Sequence, residues 1–142
     1  MADVDPEREQ FDAFKALSRD EPIEMINLIA FNERADYPAD HELRDAGLSG
    51  ADAYARYGKE SGPVFRRVGG SMTWAGAPAL TVIGPPDERW DAAFIARYPS
   101  ASAFLEMLAD PAYRAAVKHR QAAVRTSRLI RCAPRAGGNG FA

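Results

Sequence analysis

His119 and Arg120, side by side near the C-terminal end of the chain, are the residues best suited to chemistry. Histidine takes and gives protons near neutral pH, so His119 is a candidate general base. Arginine keeps its charge and grips carboxylates through a planar fork of donors. The pair closes YPSASAFLEMLADPAYRAAVKHR, residues 98–120, a stretch with helical spacing interrupted at Asp110-Pro111. At about 100° per residue, Tyr113, Val117, Arg120 and Val124 share one stripe, whereas His119 follows Ala112, Ala115 and Ala116. The spacing therefore points Arg120 inward, its stem on Tyr113 and Val117, its head toward a carboxylate, a carbonyl or an anionic ligand. His119 is left on the small-residue flank, either as a base or as a surface histidine whose charge suits the end of a helix.

Asn27, Tyr54, Tyr57, Trp74 and Arg97 stand out as polar or aromatic side chains on otherwise apolar segments. Buried polar groups need partners, so these can converge on a pocket between sheet and helices. In that reading Asn27, Tyr54, Trp74, Arg97 and Arg120 hold a small aromatic or anionic metabolite. His119 or Tyr57 then moves the proton. The plainer alternative is packing for the tyrosines and Trp74, and an internal ion pair from Arg97 to Glu24 or Asp91.

Other chemistries lack their parts. Ser61 sits in ESGP, without the Gly-x-Ser-x-Gly turn of a serine hydrolase. Cys132 is the one cysteine, which excludes an internal disulfide, and an apolar strand leaves its thiol inert. Gly69-Gly70 reads as a helix stop rather than a phosphate loop. His41 and His119 belong to no spaced ligand motif, so neither a metal nor a haem is expected, and no cofactor.

A chain of 142 residues fits one domain, 1–142, that buries enough surface without staples. The net charge of −2 gives no footprint for nucleic acid. No apolar run approaches the ~20 residues that span a bilayer. The opening MADVDPEREQ has no apolar signal-peptide core. The expectation is a soluble, cytoplasmic protein with neither nucleic acid nor membrane as partner.

The elements that must position these residues follow from local signals. Asp5-Pro6 opens an N-terminal helix over 6–18, or 5–18 with its cap. Residues 23–31, IEMINLIAF, form a strand buried on both faces, with Asn27 as its polar exception. Residues 32–48 are a long polar segment containing Tyr37-Pro38, of a length that marks a mobile or functional loop. Ser49 and Asp52 make a capping box for a helix that Pro63 should kink and Gly69-Gly70 should stop. Two strand segments, 71–75 and 79–83, come next, or one bent strand. A turn at 84–89 leads to a strand at 90–98. Ser100 caps a helix through about Leu108, Asp110-Pro111 opens another to about Arg125, a strand covers 127–133, and a flexible tail covers 134–142.

The order β-α-β-β-α-β, in halves 23–75 and 90–133, gives an α+β, ferredoxin-like core over 23–133 with an extra N-terminal helix. Helices cover one sheet face. Ile26, Leu28 and Ala30 oppose Met25, Ile29 and Phe31, so the second face also wants burial, which predicts a sheet-to-sheet homodimer.

The Tyr54 and Tyr57 helix with internal Pro63, Val68-Gly69-Gly70, Trp90-Asp91, Tyr98-Pro99-Ser100, Asp110-Pro111-x-Tyr113 and Arg120 together resemble domain-of-unknown-function family 1330 (DUF1330). That family lies within the dimeric α+β barrel superfamily, and the resemblance spans residues 23–133. It implies a ferredoxin-like protomer that pairs sheet to sheet. The superfamily includes cofactor-free monooxygenases, haem-degrading enzymes, isomerases, dehalogenases and non-catalytic binding domains. In its cofactor-free oxygenases, Asn, Trp, Tyr and Arg side chains hold an aromatic substrate whose own anion meets oxygen. Two functions follow: a cofactor-independent enzyme on an aromatic or anionic metabolite, or a non-catalytic dimerisation or ligand-sensing module.

Overall fold

The computed structural model describes residues 3–141. Its elements are α1 (Arg8–Ala16), β1 (Ile23–Phe31), α2 (Gly50–Arg67), β2 (Ser71–Gly76), β3 (Ala92–Tyr98), α3 (Ala101–Ala109), α4 (Pro111–Ala123) and β4 (Val124–Cys132). The four strands form one sheet in the order β2-β3-β1-β4, and every neighbouring pair is antiparallel. With α2 in the first crossover and α3–α4 in the second, this is the ferredoxin-like plan.

Local chemistry sets most helix starts. The Ser49 Oγ accepts from the Asp52 amide at 3.0 Å while the Asp52 carboxylate accepts from the Ser49 amide at 3.2 Å, closing the expected box. Ser100 caps α3 through the Ala103 amide at 3.1 Å, and Asp110 caps α4 through the Ala112 amide at 2.8 Å. Each such cap stabilises its helix by about 1 kcal/mol. α2 runs through Pro63 and ends before Gly69, whose φ of +91° suits only glycine well. Gly50 matters differently. A Cβ there would stand 2.1 Å from the Asn32 carbonyl oxygen, so glycine lets the start of α2 abut the exit of β1.

The core has two parts on the helix side of the sheet. Ile23, Met25, Val64, Tyr98, Phe104, Met107 and Tyr113 form one. Ile29, Tyr37, Ala53, Ala122, Ala123 and Val124 form the other, at the far end of β1. On the opposite face, Ile26 lies between Ile95 and Ile130, and Trp74 lies beside Ile95. Trp74 and Ile130 are about half exposed there. Among the described residues, no helix is long and apolar enough to cross a membrane.

Several boundaries differ from the sequence reading. Residues 79–83 are not a strand: beyond Gly76, which pairs with Ala93, the chain leaves the sheet. β-propensity needs a partner edge to act on, and without one Leu80, Val82 and Ile83 stand 81%, 85% and 95% exposed. β3 begins at Ala92 rather than residue 90; just before it, the Asp91 carboxylate accepts from the Phe31 amide at 2.8 Å. α4 ends at Ala123 and β4 starts at once with extended Val124, three residues earlier than expected. α1 is shorter than 6–18 at both ends: it starts at Arg8 after Glu7, whose side chain makes no capping bond, so Asp5-Pro6 does not open it, and Leu17 is already extended. Residues 32–48 are tied at several points, the Ala35 amide to the Leu48 carbonyl and the Asp36 amide to the Ala122 carbonyl, both at 2.9 Å. Residues 133–141 carry no regular structure, and the last residue of the expected tail, Ala142, lies outside the described residues, as do Met1 and Ala2.

Candidate functional site

The residues singled out from the sequence do not gather in one pocket. Trp74 and Arg97 lie on the open sheet face, where Arg97 reaches Glu24 at 3.7 Å, the internal pair considered above. Asn27 lies on the other face, buried, its Nδ2 donating to the Met25 carbonyl at 3.1 Å. Tyr54 packs between Phe31 and Tyr57, and the Tyr57 hydroxyl bonds the Tyr113 hydroxyl at 2.9 Å inside the helix–sheet layer. Burial holds the phenols of Tyr54, Tyr98 and Tyr113 well above their ordinary titration range. Arg120 is half-buried, bonded to the Val4 carbonyl and, at 3.2 Å, to the Ser127 hydroxyl.

His119 reverses its expected place. It is 6% exposed, and Arg120 is the less buried of the two. His119 lies at the boundary of the packed face of α4: Ala116 on its flank is buried, whereas Ala112 and Ala115 stay exposed. Ala116, Ala122 and Ala123 are sealed there, and Tyr37 of the 32–48 segment meets the histidine.

The result is a chain of three polar groups from three elements. The Tyr37 hydroxyl lies 2.7 Å from His119 Nδ1, and His119 Nε2 lies 2.9 Å from Glu60 Oε2 on α2. The ionised Glu60 carboxylate only accepts, so in the neutral imidazole the proton sits on Nε2. Nδ1 is then an acceptor, and the Tyr37 O–H donates to it. Burial raises the Tyr37 pKa, opposed by the Arg56 charge and reinforced by Glu60, which keeps this phenol protonated. Tyr37 is 1% exposed and forms the inner end of the chain; Glu60 is half-exposed and forms the outer end.

His41 completes the arrangement. Its ring stacks on Tyr37 with centroids 4.5 Å apart and 24° between planes, and meets His119 edge-on at 5.9 Å. The Leu43 amide donates to its Nδ1 at 3.0 Å, which leaves Nε2 to carry the proton when the ring is neutral. Outside these groups lies an open cleft of about 300 Å³ walled by His41, Glu42, Arg56, Glu60, Lys118 and His119. A second cleft, of about 340 Å³, is walled by Arg34, Asp36, Arg44 and Asp45, with Arg44 paired to Asp36 at 3.0 Å. Of the sequence candidates, His119 alone lines either cleft.

Tyr37, His41, Arg56, Glu60 and Lys118 were missed as site residues. The available signal was Tyr37, an aromatic residue in an otherwise polar segment. Among the described residues, no group of three or more histidine, cysteine, aspartate or glutamate side chains is arranged to hold a metal ion.

Residues 45–131 match the family described as a domain of unknown function, DUF1330. The chain belongs to the DUF1330 family. The match takes in Arg56, Glu60, Lys118 and His119, whereas Tyr37 and His41 precede it. This DUF1330 chain is 51% identical to the RPA0582 protein of unknown function from Rhodopseudomonas palustris, with a TM-score of 0.89 over 96% of this chain and 100% of that one. Methylated RPA0582 superposes equally well, with a TM-score of 0.90 at 51% identity over 97% of this chain and 98% of that one. The fold is also that of SnoaB, a cofactor-independent oxygenase from Streptomyces nogalater, with a TM-score of 0.52 at 15% identity over 84% of this chain and 99% of that one. None of the curated proteins matches the chain.

Proposed function

We propose that this DUF1330 protein binds a small anionic metabolite in the cleft beside the 32–48 segment and moves a proton on it through His119. The observation that carries this reading is His119 held between the Tyr37 hydroxyl at 2.7 Å and the Glu60 carboxylate at 2.9 Å on the wall of an open cleft. A ring fixed at both nitrogens keeps one tautomer and one orientation, and its proton route to the ligand runs from Nε2 through the half-exposed Glu60 carboxylate, which faces the cleft. Arg56 and Lys118 on the same walls, set among Glu42 and Glu60, are the donors that would pair with an anionic group of the ligand. The volume, near the low end for ligand clefts, favours a small acid over a large cofactor-sized molecule.

Arg97 and Arg120 were the anion clamps expected from sequence, and Tyr57 the second proton carrier. Each has a partner inside the fold and faces neither cleft. The fold held in common with an oxygenase does not choose the reaction; the residues in the cleft do. Thermal-shift screening of small carboxylic acids, followed by calorimetry, tests the reading. The expected result is a hit that Arg56→Gln with Lys118→Gln weakens at least tenfold. No hit at millimolar concentration, or a hit indifferent to both substitutions, overturns it.

The open sheet face supports a second reading that can coexist with the first: two copies pair through Ile26, Ile95, Ile130 and Trp74 to complete a barrel. A monomeric mass by light scattering at micromolar concentration would contradict it. The lone Cys132, with no partner cysteine, is in keeping with a reducing cytoplasm as the compartment.

A further inference from the structure

Arg120, in the last turn of α4, is half-buried. Its two hydrogen-bond partners, the Val4 carbonyl and the Ser127 hydroxyl, are both uncharged. Among the described residues no carboxylate lies within ion-pair distance of it, whereas the more exposed Arg44, Arg67 and Arg128 each have one. A sheltered guanidinium without a counter-charge is poorly compensated. Tyr54 and Tyr113 lie within reach of its field, since the Arg120 charge eases the ionisation that burial opposes in both.

What covers this cation is the N-terminal segment. The Asp3 carbonyl accepts from Ser127 Oγ at 2.7 Å, and the Asp3 carboxylate pairs with exposed Arg128 at 3.0 Å. The Val4 side chain packs against the cluster of Ile29, Tyr37 and Val124. The segment is held by side-chain bonds and one valine, without pairing to a strand. Exposed ion pairs contribute little to such an attachment.

We infer that residues 3–5 are a displaceable strap over a second anion site, built by Arg120 and Ser127, for a small aliphatic carboxylic acid. The carboxylate takes the place of the Val4 carbonyl, and the apolar body takes the place of the Val4 side chain. The exchange is favourable because a carboxylate makes charge-assisted bonds to the guanidinium, roughly twice as strong as those of a neutral carbonyl. The site is separate from the cleft at His119, and neither inference depends on the other.

Isovalerate is the probe, titrated by calorimetry into the full-length chain. Loosening the strap with Asp3→Ala and Val4→Gly should tighten binding at least tenfold over wild type. Adding Arg120→Gln should abolish the gain, and adding Arg56→Gln with Lys118→Gln should leave it intact. Equal affinity in the wild-type and loosened chains overturns the inference, as does a gain that survives Arg120→Gln. If the loosened chain does not fold, hydrogen exchange on the wild type decides. Saturating isovalerate should speed exchange at the Asp3 amide, which is bonded to Thr126 Oγ1, and unchanged protection overturns the strap.

Discussion

Two long connections leave this sheet, and they behave oppositely. Residues 32–48 are mostly polar, yet they lie tightly against α4 and bury Tyr37 to 1% exposure. Residues 77–91 contain Leu80, Val82 and Ile83, yet those side chains stand almost wholly in water. Apolar content therefore does not decide which loop becomes part of the core. Tyr37 finds an imidazole for its hydroxyl and a helix pair with small side chains to lie on. The aliphatics of 77–91 meet no such surface within the chain. A connection is anchored by matched partners, and a single aromatic with its polar end satisfied outweighs three unmatched aliphatics.

The most severe way to break this contrast is Tyr37→Ala. It removes a fully buried ring and the partner of His119 Nδ1, and should cost about 3–5 kcal/mol in chemical denaturation, the range for large aromatic truncations. A loss near zero would mean that the segment is decoration. Next in size is Ile130→Asp on the open sheet face, which should weaken self-association at least tenfold by sedimentation while leaving Tyr37 undisturbed.

Alkaline pH probes the buried phenols. Burial raises the pKa of Tyr54, Tyr98 and Tyr113 above the ordinary 10.0. Above that pH the unfolded chain gives up protons that the folded chain keeps, so stability is full below pH 10 and falls as pH rises through it. Each phenol should contribute up to about 1.4 kcal/mol per pH unit of that fall. Tyr113→Phe should flatten the slope measured from pH 9 to 11, and an unchanged slope would locate the loss elsewhere.

Smaller still is Glu60→Gln. It keeps a hydrogen-bond acceptor for His119 but removes the charge, at a cost of about 1 kcal/mol or less because Glu60 is half-exposed. Its larger consequence should be a changed pH profile for ligand binding in the cleft. Val82→Ser should move stability by less than about 0.5 kcal/mol, as for an ordinary surface substitution. A cost comparable to that of Tyr37→Ala would erase the distinction between the two connections.

Much of the fold was readable because its signals are local. Ser49 with Asp52, Ser100, and Asp110-Pro111 each mark a helix start through bonds spanning two or three residues. The strand at 79–83 misled for the same reason: its residues favour extended structure, but pairing depends on an edge that β2 and β3 do not extend to it. The site was harder to read. Tyr37 and His119 are 82 residues apart, and nothing on either side of the histidine announces a phenol. Counting helix faces placed His119 with Ala112, Ala115 and Ala116, of which the first two stay exposed; what the spacing could not show is that Tyr37 covers the histidine beside buried Ala116.

By itself the sequence determined the caps of α2, α3 and α4, the β-α-β-β-α-β order and the two apolar faces of β1, since these arise from neighbouring residues and from period-two and helical spacing. Tertiary structure alone decided that His119 is buried between Tyr37 and Glu60, and that Arg120 holds the Val4 carbonyl. Desolvation and hydrogen-bond geometry depend on which distant segments come together, and that is a property of the packed chain.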